Sequence, residues 1–305
     1  MKIWRGLVLV GATVLALAGC APAVSPAESG KLRVEVAFYP FQFVAERVGG
    51  DAVEVANLTA PGSEPHDLEL TPRQVAGLAT ADLVIYQSGF QPAVDTAIEQ
   101  AQPTRVVNTA SFLTMLTASA DGEQQPTSTG AGSTDPHTWL DPTNLVRVAE
   151  HVRDSLSQAR PAGAEAFAAN TRALVADLTQ LDHAITADLT GCAITPFITS
   201  HAAFGYFAAR YGLTQVSIRG LEPDVEPSAS RIAQVQQIAR DNRVTTIFFE
   251  TLVSPVVAES IASDLGLKTD VLDPLEGITA DSRGADYLEV MRSNANSLKV
   301  ANQCS

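Results

Sequence analysis

Between residues 161 and 189 apolar side chains fall at Phe167, Leu174, Leu178, Leu181 and Ile185. That spacing of threes and fours marks one narrow helical face, and no proline interrupts it. Glu165, Asn170, Arg172, Asp177 and Asp182 occupy the other faces. Pro161 suits a first helical turn and Gly191 an end, so about 28 residues at 1.5 Å each predict a rod of roughly 40 Å. On both sides of the rod the pattern changes to short apolar runs alternating with helical ones. Before it, residues 32–37, 52–58, 82–87 and 104–108 read as strands separated by helices; Thr71 and Pro72 supply the cap and first turn of one of these. After it, residues 193–199, 215–218, 244–250 and 269–272 repeat the alternation, and 287–301 closes the chain as a helix. Strand and helix in alternation predict parallel sheets covered by helices, with ligand loops at the strand C-termini. The expected fold is α/β, with two lobes that are each a parallel sheet flanked by helices, joined by one long rigid α-helix. The N-terminal lobe is placed at 32–160, the linking helix at 161–190 and the C-terminal lobe at 191–305. Residues 120–133, rich in Gly, Ser, Thr and Gln without periodicity, predict a mobile surface loop.

A chain of 305 residues that is 46% hydrophobic and 18% charged has a globular composition and room for two domains. The start differs from the rest. Lys2 and Arg5 precede an apolar run over 7–17 that ends in Ala18-Gly19-Cys20, so residues 1–19 predict a secretory signal, too short for a comfortable membrane span. The cysteine directly after this small pair resembles the lipobox of bacterial lipoproteins. That likeness implies a lipid on Cys20, attachment to the outer face of the cell membrane, and a flexible Ala/Pro/Ser-rich tether over 20–31. An ordinary signal followed by a chance cysteine is the alternative. The formal net charge is −14, and signal removal takes away two cations and no acid. Such acidity argues against nucleic acid as a partner and weakly favours cationic ligands. With Cys20 lipidated, Cys192 and Cys304 remain, and an exported chain most simply pairs them. Two free thiols are the alternative, because sequence does not give their separation in space.

The chain has five histidines. His151 and His183 fall mid-helix among polar neighbours and read as solvated surface imidazoles. His66 lies between Pro65 and Asp67, His137 follows Pro136, and His201 follows an apolar strand, all three at loop positions. Asp273 follows the last strand in Leu272-Asp273-Pro274-Leu275 and reads either as a ligand or as the residue that starts the Asp-Pro bend. Imidazole nitrogens with one carboxylate oxygen suit a borderline divalent ion, tetrahedral for zinc.

Five segments carry a resemblance to a known family: Phe38-Tyr-Pro-Phe41 with Ala45-Glu-Arg-Val-Gly-Gly50, Pro61-Gly-Ser-Glu-Pro-His66-Asp67, Asp135-Pro-His137-Thr-Trp-Leu-Asp-Pro142, Ser200-His201-Ala-Ala-Phe-Gly-Tyr206, and Leu272-Asp273-Pro-Leu275. In this order they resemble the solute-binding lipoproteins of bacterial metal importers, the ZnuA-like and TroA-like group. The resemblance implies two α/β lobes bridged by a long helix, a metal in the cleft, and ligand roles for His66, His137, His201 and Asp273. It also implies a membrane permease of the ABC type as partner. A third imidazole at His201, where manganese carriers of the group commonly have glutamate, favours Zn2+ over Mn2+. The absence of histidine from 120–133, where many zinc members carry a histidine-rich loop, leaves manganese open as an alternative.

Other acids lie near these ligands. Glu64 could offer a further oxygen, Asp67 and Asp141 could orient neighbouring imidazoles, and Glu250 ends a strand on the same loop edge. A zinc hydrolase would need an open coordination position, and the chain has no His-Glu-x-x-His helix, so an enzyme is not expected. A surface adhesin is a further alternative, and a monomer is expected.

Overall fold

Leu32, Val34 and Val36 are buried and Arg33 is exposed, so alternation along the first predicted strand becomes a one-sided strand, β1 (Leu32–Val36). The chain continues through α1 (Tyr39–Gly49), β2 (Val53–Asn57), α2 (Pro72–Thr80), β3 (Leu83–Tyr86), α3 (Pro92–Ala101) and β4 (Val106–Asn108). Thr71 and Gln74 form a reciprocal capping box that fixes the start of α2. The four strands make a parallel sheet in the order β2-β1-β3-β4. The structure is a computed structural model, and it describes residues 30–118, 124–126 and 133–305. The expected signal (1–19), the lipidated Cys20 and most of the tether lie outside the described residues.

Within the stretch 120–133 expected to be a mobile surface loop lies β6 (Gln124–Pro126), and with β5 (Leu116–Ala118) before it and β7 (Ser133–Asp135) at its end it forms an antiparallel sheet with β5 in the middle. Strand pairing satisfies backbone donors and acceptors without demanding side-chain periodicity, which is why the polar composition of this stretch did not reveal it. The remainder of 120–133 lies outside the described residues. Behind β7 comes α4 (Pro142–Ala159), whose first turn is capped by Asp141 accepting from Thr143 N at 2.8 Å.

The long helix α5 runs Ala164–Asp188, 25 residues, and Pro161 opens a separate 3-10 turn ahead of it. Phe167, Leu174, Leu178, Leu181 and Ile185 are all buried as predicted. Asp182, expected on a polar face, is also buried, because Arg210 grips it with two bonds of 2.8 and 2.5 Å and Tyr211 donates a third. The guanidinium holds the Asp182 carboxyl below its usual range.

The second half repeats the layout: β8 (Pro196–Thr199), α6 (Gly205–Tyr211), β9 (Thr214–Ser217), α7 (Ala229–Asp241), β10 (Thr246–Phe249), α8 (Val256–Leu265), β11 (Lys268–Val271) and α9 (Tyr287–Ala301). Its parallel sheet has the order β11-β10-β8-β9. The fold is therefore a two-lobe α/β fold. Helix α5 packs against α1 and α4 of the first half and against α9 of the second. The larger apolar core is continuous across these helices, from Val36 and Phe41 through Phe167 and Leu178 to Phe204, Leu275 and Tyr287. A smaller core, around Ile198, Val235, Ile247 and Ile261, fills the far side of the second sheet.

Cys192 and Cys304 are disulfide-bonded over a sequence separation of 112, tying the C-terminus to the end of α5. A chain-entropy argument assigns a closed loop of this size about 4–5 kcal/mol. Reduction should lower the melting temperature by roughly 10 °C and leave metal affinity unaltered, since the bond sits at the opposite end of β8 from His201. Melting curves and zinc titrations with and without reductant check both halves of this expectation.

Candidate metal centre

Parallel strands deliver their C-terminal loops to one edge, and the loops after β2, β8 and β11, with the turn after β7, bring His66, His201, Glu276 and His137 together. One ligand atom from each lies within 4.8 Å of all the others, and all four side chains are buried. Glu276 Oε1 stands 3.3 Å from His66 Nε2, 3.3 Å from His137 Nε2 and 3.5 Å from His201 Nε2. The last two nitrogens are 3.3 Å apart. Glu276 Oε2 is buried with no hydrogen-bond partner among the described residues. Three Nε2 atoms and a carboxylate facing one point are a donor set for a divalent cation.

Each imidazole turns its other nitrogen to a carboxylate. His137 Nδ1 is 2.8 Å from Asp135 Oδ1, His201 Nδ1 is 2.7 Å from Glu250 Oε2, and His66 Nδ1 is 3.4 Å from Glu222 Oε2. Such partners fix the ring orientation and direct Nε2 to the metal. Side-chain amides pin the loops behind them. Gln87 donates to Pro136 O, and Gln91 donates to Pro65 O at 3.0 Å and Thr59 Oγ1 at 3.1 Å. Gln215 donates to His201 O at 3.0 Å. Phe90 stands edge-on to His66 and Trp139 lies 5.2 Å from the His137 ring, which gives the cluster apolar walls. Several bonds join the two halves beside it: Trp139 Nε1 donates to Pro274 O at 2.7 Å, Tyr287 Oη donates to Trp139 O at 2.7 Å, and Tyr206 Oη donates to Asp135 O at 3.0 Å.

Burial would favour a neutral Glu276, but the imidazoles of His137, His201 and His66 outweigh it and hold this carboxyl well below its usual range. Burial likewise opposes charge on His66, yet Glu222 and Glu276 push it up to about 10. Glu250 and Glu276 raise His201 well above its ordinary value against the same opposing effect. Without an ion the cluster therefore retains protons that a metal must displace.

The three histidines expected from the sequence are thus brought together, but the carboxylate that joins them is Glu276, which the sequence reading did not single out. Asp273 is held elsewhere. Its Oδ1 accepts from Leu275 N at 2.8 Å and its Oδ2 from Ser282 Oγ at 2.9 Å, the bend-forming role that was the alternative for this residue. Burial pushes its carboxyl up to about 6. Leu275 adopts φ 59°, a left-handed conformation uncommon for leucine, with its side chain fully buried. Leu275 stands between the two carboxylates, and beyond it Glu276 faces the histidines.

Among the other acids, Glu250 contacts His201 as described. Glu64 Oε1 accepts from His66 N at 3.0 Å; burial, with Glu276 nearby, pushes its carboxyl up to about 8. Asp67 is exposed, and Asp141 caps α4. Asp135 and Glu222 are the imidazole partners that sequence reasoning missed. For Asp135 a signal existed, since its spacing of two before His137 lets one carboxylate reach both the His137 backbone N–H, at 2.9 Å, and its ring.

Known proteins share this architecture. The chain is 34% identical over 282 residues to the zinc-binding lipoprotein AdcA of Streptococcus pneumoniae, a match covering 88% of this chain and 56% of AdcA. It therefore spans about half the length of that relative. To the high-affinity zinc uptake system protein ZnuA of Bacillus subtilis it is 31% identical over 311 residues, covering 98% of this chain and 97% of the relative. The crystal structure of the Zn(II)-bound ZnuA-like domain of S. pneumoniae AdcA superposes with a TM-score of 0.75 at 33% identity, covering 90% of this chain and 99% of that one. The laminin-binding protein Lmb of Streptococcus agalactiae, described as bifunctional with adhesin and metal transporting activity, gives a TM-score of 0.78 at 28% identity, covering 89% and 99%. The model of the family described as zinc-uptake complex component A, periplasmic, matches residues 34–301. That match runs from the first strand to the last helix and takes in the whole histidine cluster, so the chain belongs to the ZnuA family, whose members are solute-binding proteins and not enzymes.

Proposed function

We propose that this protein captures Zn2+ between its two lobes and hands it to the membrane permease of an ABC importer, working outside the cytoplasm and held to the membrane by a lipid on Cys20. The observation that carries the reading is the convergence of His66, His137, His201 and Glu276, all buried, with their ligand atoms within 4.8 Å. His66 and His137 come from the first half of the chain and His201 and Glu276 from the second, so one ion ties both lobes. Three nitrogen donors and one oxygen favour zinc over manganese, which prefers oxygen-rich shells. Zinc binding by AdcA and zinc uptake by ZnuA of B. subtilis support the same ion. A manganese-carrying role lacks the additional oxygen donors it calls for, and an adhesive role rests on the likeness to laminin-binding proteins such as Lmb and Lbp of Streptococcus pyogenes.

Protein purified without added metal should contain one zinc per chain by elemental analysis. His201→Ala should keep its fold and lose zinc affinity by about 100-fold or more, beyond the range typical of residues that only orient a ligand. His201→Glu should narrow the preference for zinc over manganese by adding a harder donor. Competition titrations with the two metals read both variants. Unchanged zinc binding by His201→Ala would remove that residue from the site, and an unaltered zinc-to-manganese ratio in His201→Glu would defeat the selectivity argument.

A further inference from the structure

The three imidazole–carboxylate pairs are unequal. Asp135 and His137 lie two residues apart in one turn of the first half, and both side chains are fully buried. Glu250 and His201 both belong to the second sheet's loop edge, and Glu250 is 2% exposed. These two pairs are internal to their lobes. His66 differs, because its partner Glu222 comes from the second lobe and its side chain is 63% exposed.

Glu222 sits on the segment between β9 and α7. Arg219 N donates to Ser200 O and Gly220 O accepts from Ala202 N, both at 2.9 Å, so the segment is anchored where it leaves β9. Ser228 anchors its other end as the cap of α7. Pro223 is buried between them, while Glu222, Asp224, Val225 and Glu226 are exposed. The Glu222 carboxylate thus reaches from a segment of the second lobe, clamped at both ends, to a buried imidazole of the first.

We propose that Glu222 is a latch: a positioning residue of the second lobe that holds the first-lobe His66 in its ligating orientation and sets the rate at which metal leaves. The inference rests on the proposed zinc site. Any separation of the lobes keeps the Asp135–His137 and Glu250–His201 pairs intact and breaks the Glu222–His66 pair. A ring that loses its Nδ1 acceptor regains rotational freedom, and the Nε2–metal bond is then the first of the four to be lost. Capture is affected less, because association is set by encounter and by the acidity around the cleft, whereas loss of a holding contact shows in dissociation. Partners of metal-bound imidazoles are worth 10–100-fold in affinity. An exposed partner at 3.4 Å falls at the lower end of that range.

The test is stopped-flow release of zinc from the loaded protein into a chelating indicator, with association followed separately, for wild type, Glu222→Ala, Glu222→Gln and Asp224→Ala. Glu222→Ala should release zinc about 10-fold faster with association altered less than about 2-fold. Glu222→Gln retains an amide oxygen that accepts from Nδ1–H and should recover most of the slow release. Asp224→Ala removes the same charge two residues away without touching His66 and should behave as wild type. Melting of metal-free Asp224→Ala should be unaltered, whereas Glu222→Ala gives up part of the stability that comes from holding a proton on His66, so release is measured well below the melting range of each variant. Release from Glu222→Ala at the wild-type rate, or equal acceleration by Asp224→Ala, overturns the latch alone. Failure of the wild-type protein to hold stoichiometric zinc overturns the proposed site and the latch with it.

Discussion

Glu276→Ala should lose about 100-fold or more in zinc affinity, whereas Asp273→Ala should lose less affinity and more thermal stability. The two carboxylates are three residues apart and differ in what they face. Glu276 Oε1 is within 3.5 Å of three imidazole nitrogens, and its second oxygen is unsatisfied among the described residues. Asp273 spends its oxygens on Leu275 N and Ser282 Oγ, while Asn294 brackets its backbone through Asp273 N at 2.9 Å and Asp273 O at 2.7 Å. Removing a ligand should exceed the 10–100-fold loss typical of groups that only orient one. Removing Asp273 leaves the Leu275 N–H without its acceptor and unpins a turn that includes a left-handed leucine, a change costing about 1–3 kcal/mol. Zinc competition and thermal melting of both variants separate the roles. The reverse ranking, with Asp273→Ala losing the metal and Glu276→Ala retaining it, would return the fourth ligand to Asp273.

That pair of residues marks the limit of what the chain disclosed before folding. Periodicity is local, so the stripe on α5 and the strand–helix alternation were readable, and with them the loop edge where His66, His137 and His201 gather. Asp273 is set apart from Glu276 by its bonds to Leu275 N, Ser282 and Asn294 and by a left-handed Leu275 between them, and leucine gives no warning of positive φ. Asp182 looked solvated because its partner Arg210 lies on α6, beyond the reach of a helical wheel. Glu222 belongs to the opposite lobe from the imidazole it meets, and no short-range spacing encodes such a meeting. Asp135 was within reach, since an aspartate two residues before a histidine can hold both its backbone and its ring.

Zinc should raise the melting temperature by roughly 10 °C at neutral pH, and the increment should widen as pH rises from 6.5. The first part is mass action. A ligand present at about 1,000 times its dissociation constant stabilises the folded state by about 4 kcal/mol, and each kcal/mol moves a chain of this size by roughly 2–3 °C. The pH dependence follows from the metal-free site. His66 is raised to about 10. Its contribution to metal-free stability is complete below its unfolded value of about 6.5 and is lost as pH climbs through 10. Glu64 is raised to about 8 by burial, with Glu276 as a further cause, so between about 4.5 and 8 the folded chain binds more protons than the unfolded one and again loses stability as pH rises. Glu276 works in the opposite sense. Held well below its usual range by the imidazoles, it contributes stability above about 4.5 that disappears only on acidification. From 6.5 upward the metal-free protein is therefore steadily weakened, while zinc finds fewer protons to displace from His66 and His201. Melting curves with chelator and with one equivalent of zinc at pH 6, 7 and 8.5 measure the gap directly. Calorimetry in buffers of different ionisation enthalpy should add a net release of protons on zinc binding at pH 7, with His66 as one source. A gap that narrows with rising pH, or zinc binding without proton release, would mean that the ion does not enter among His66, His201 and Glu276.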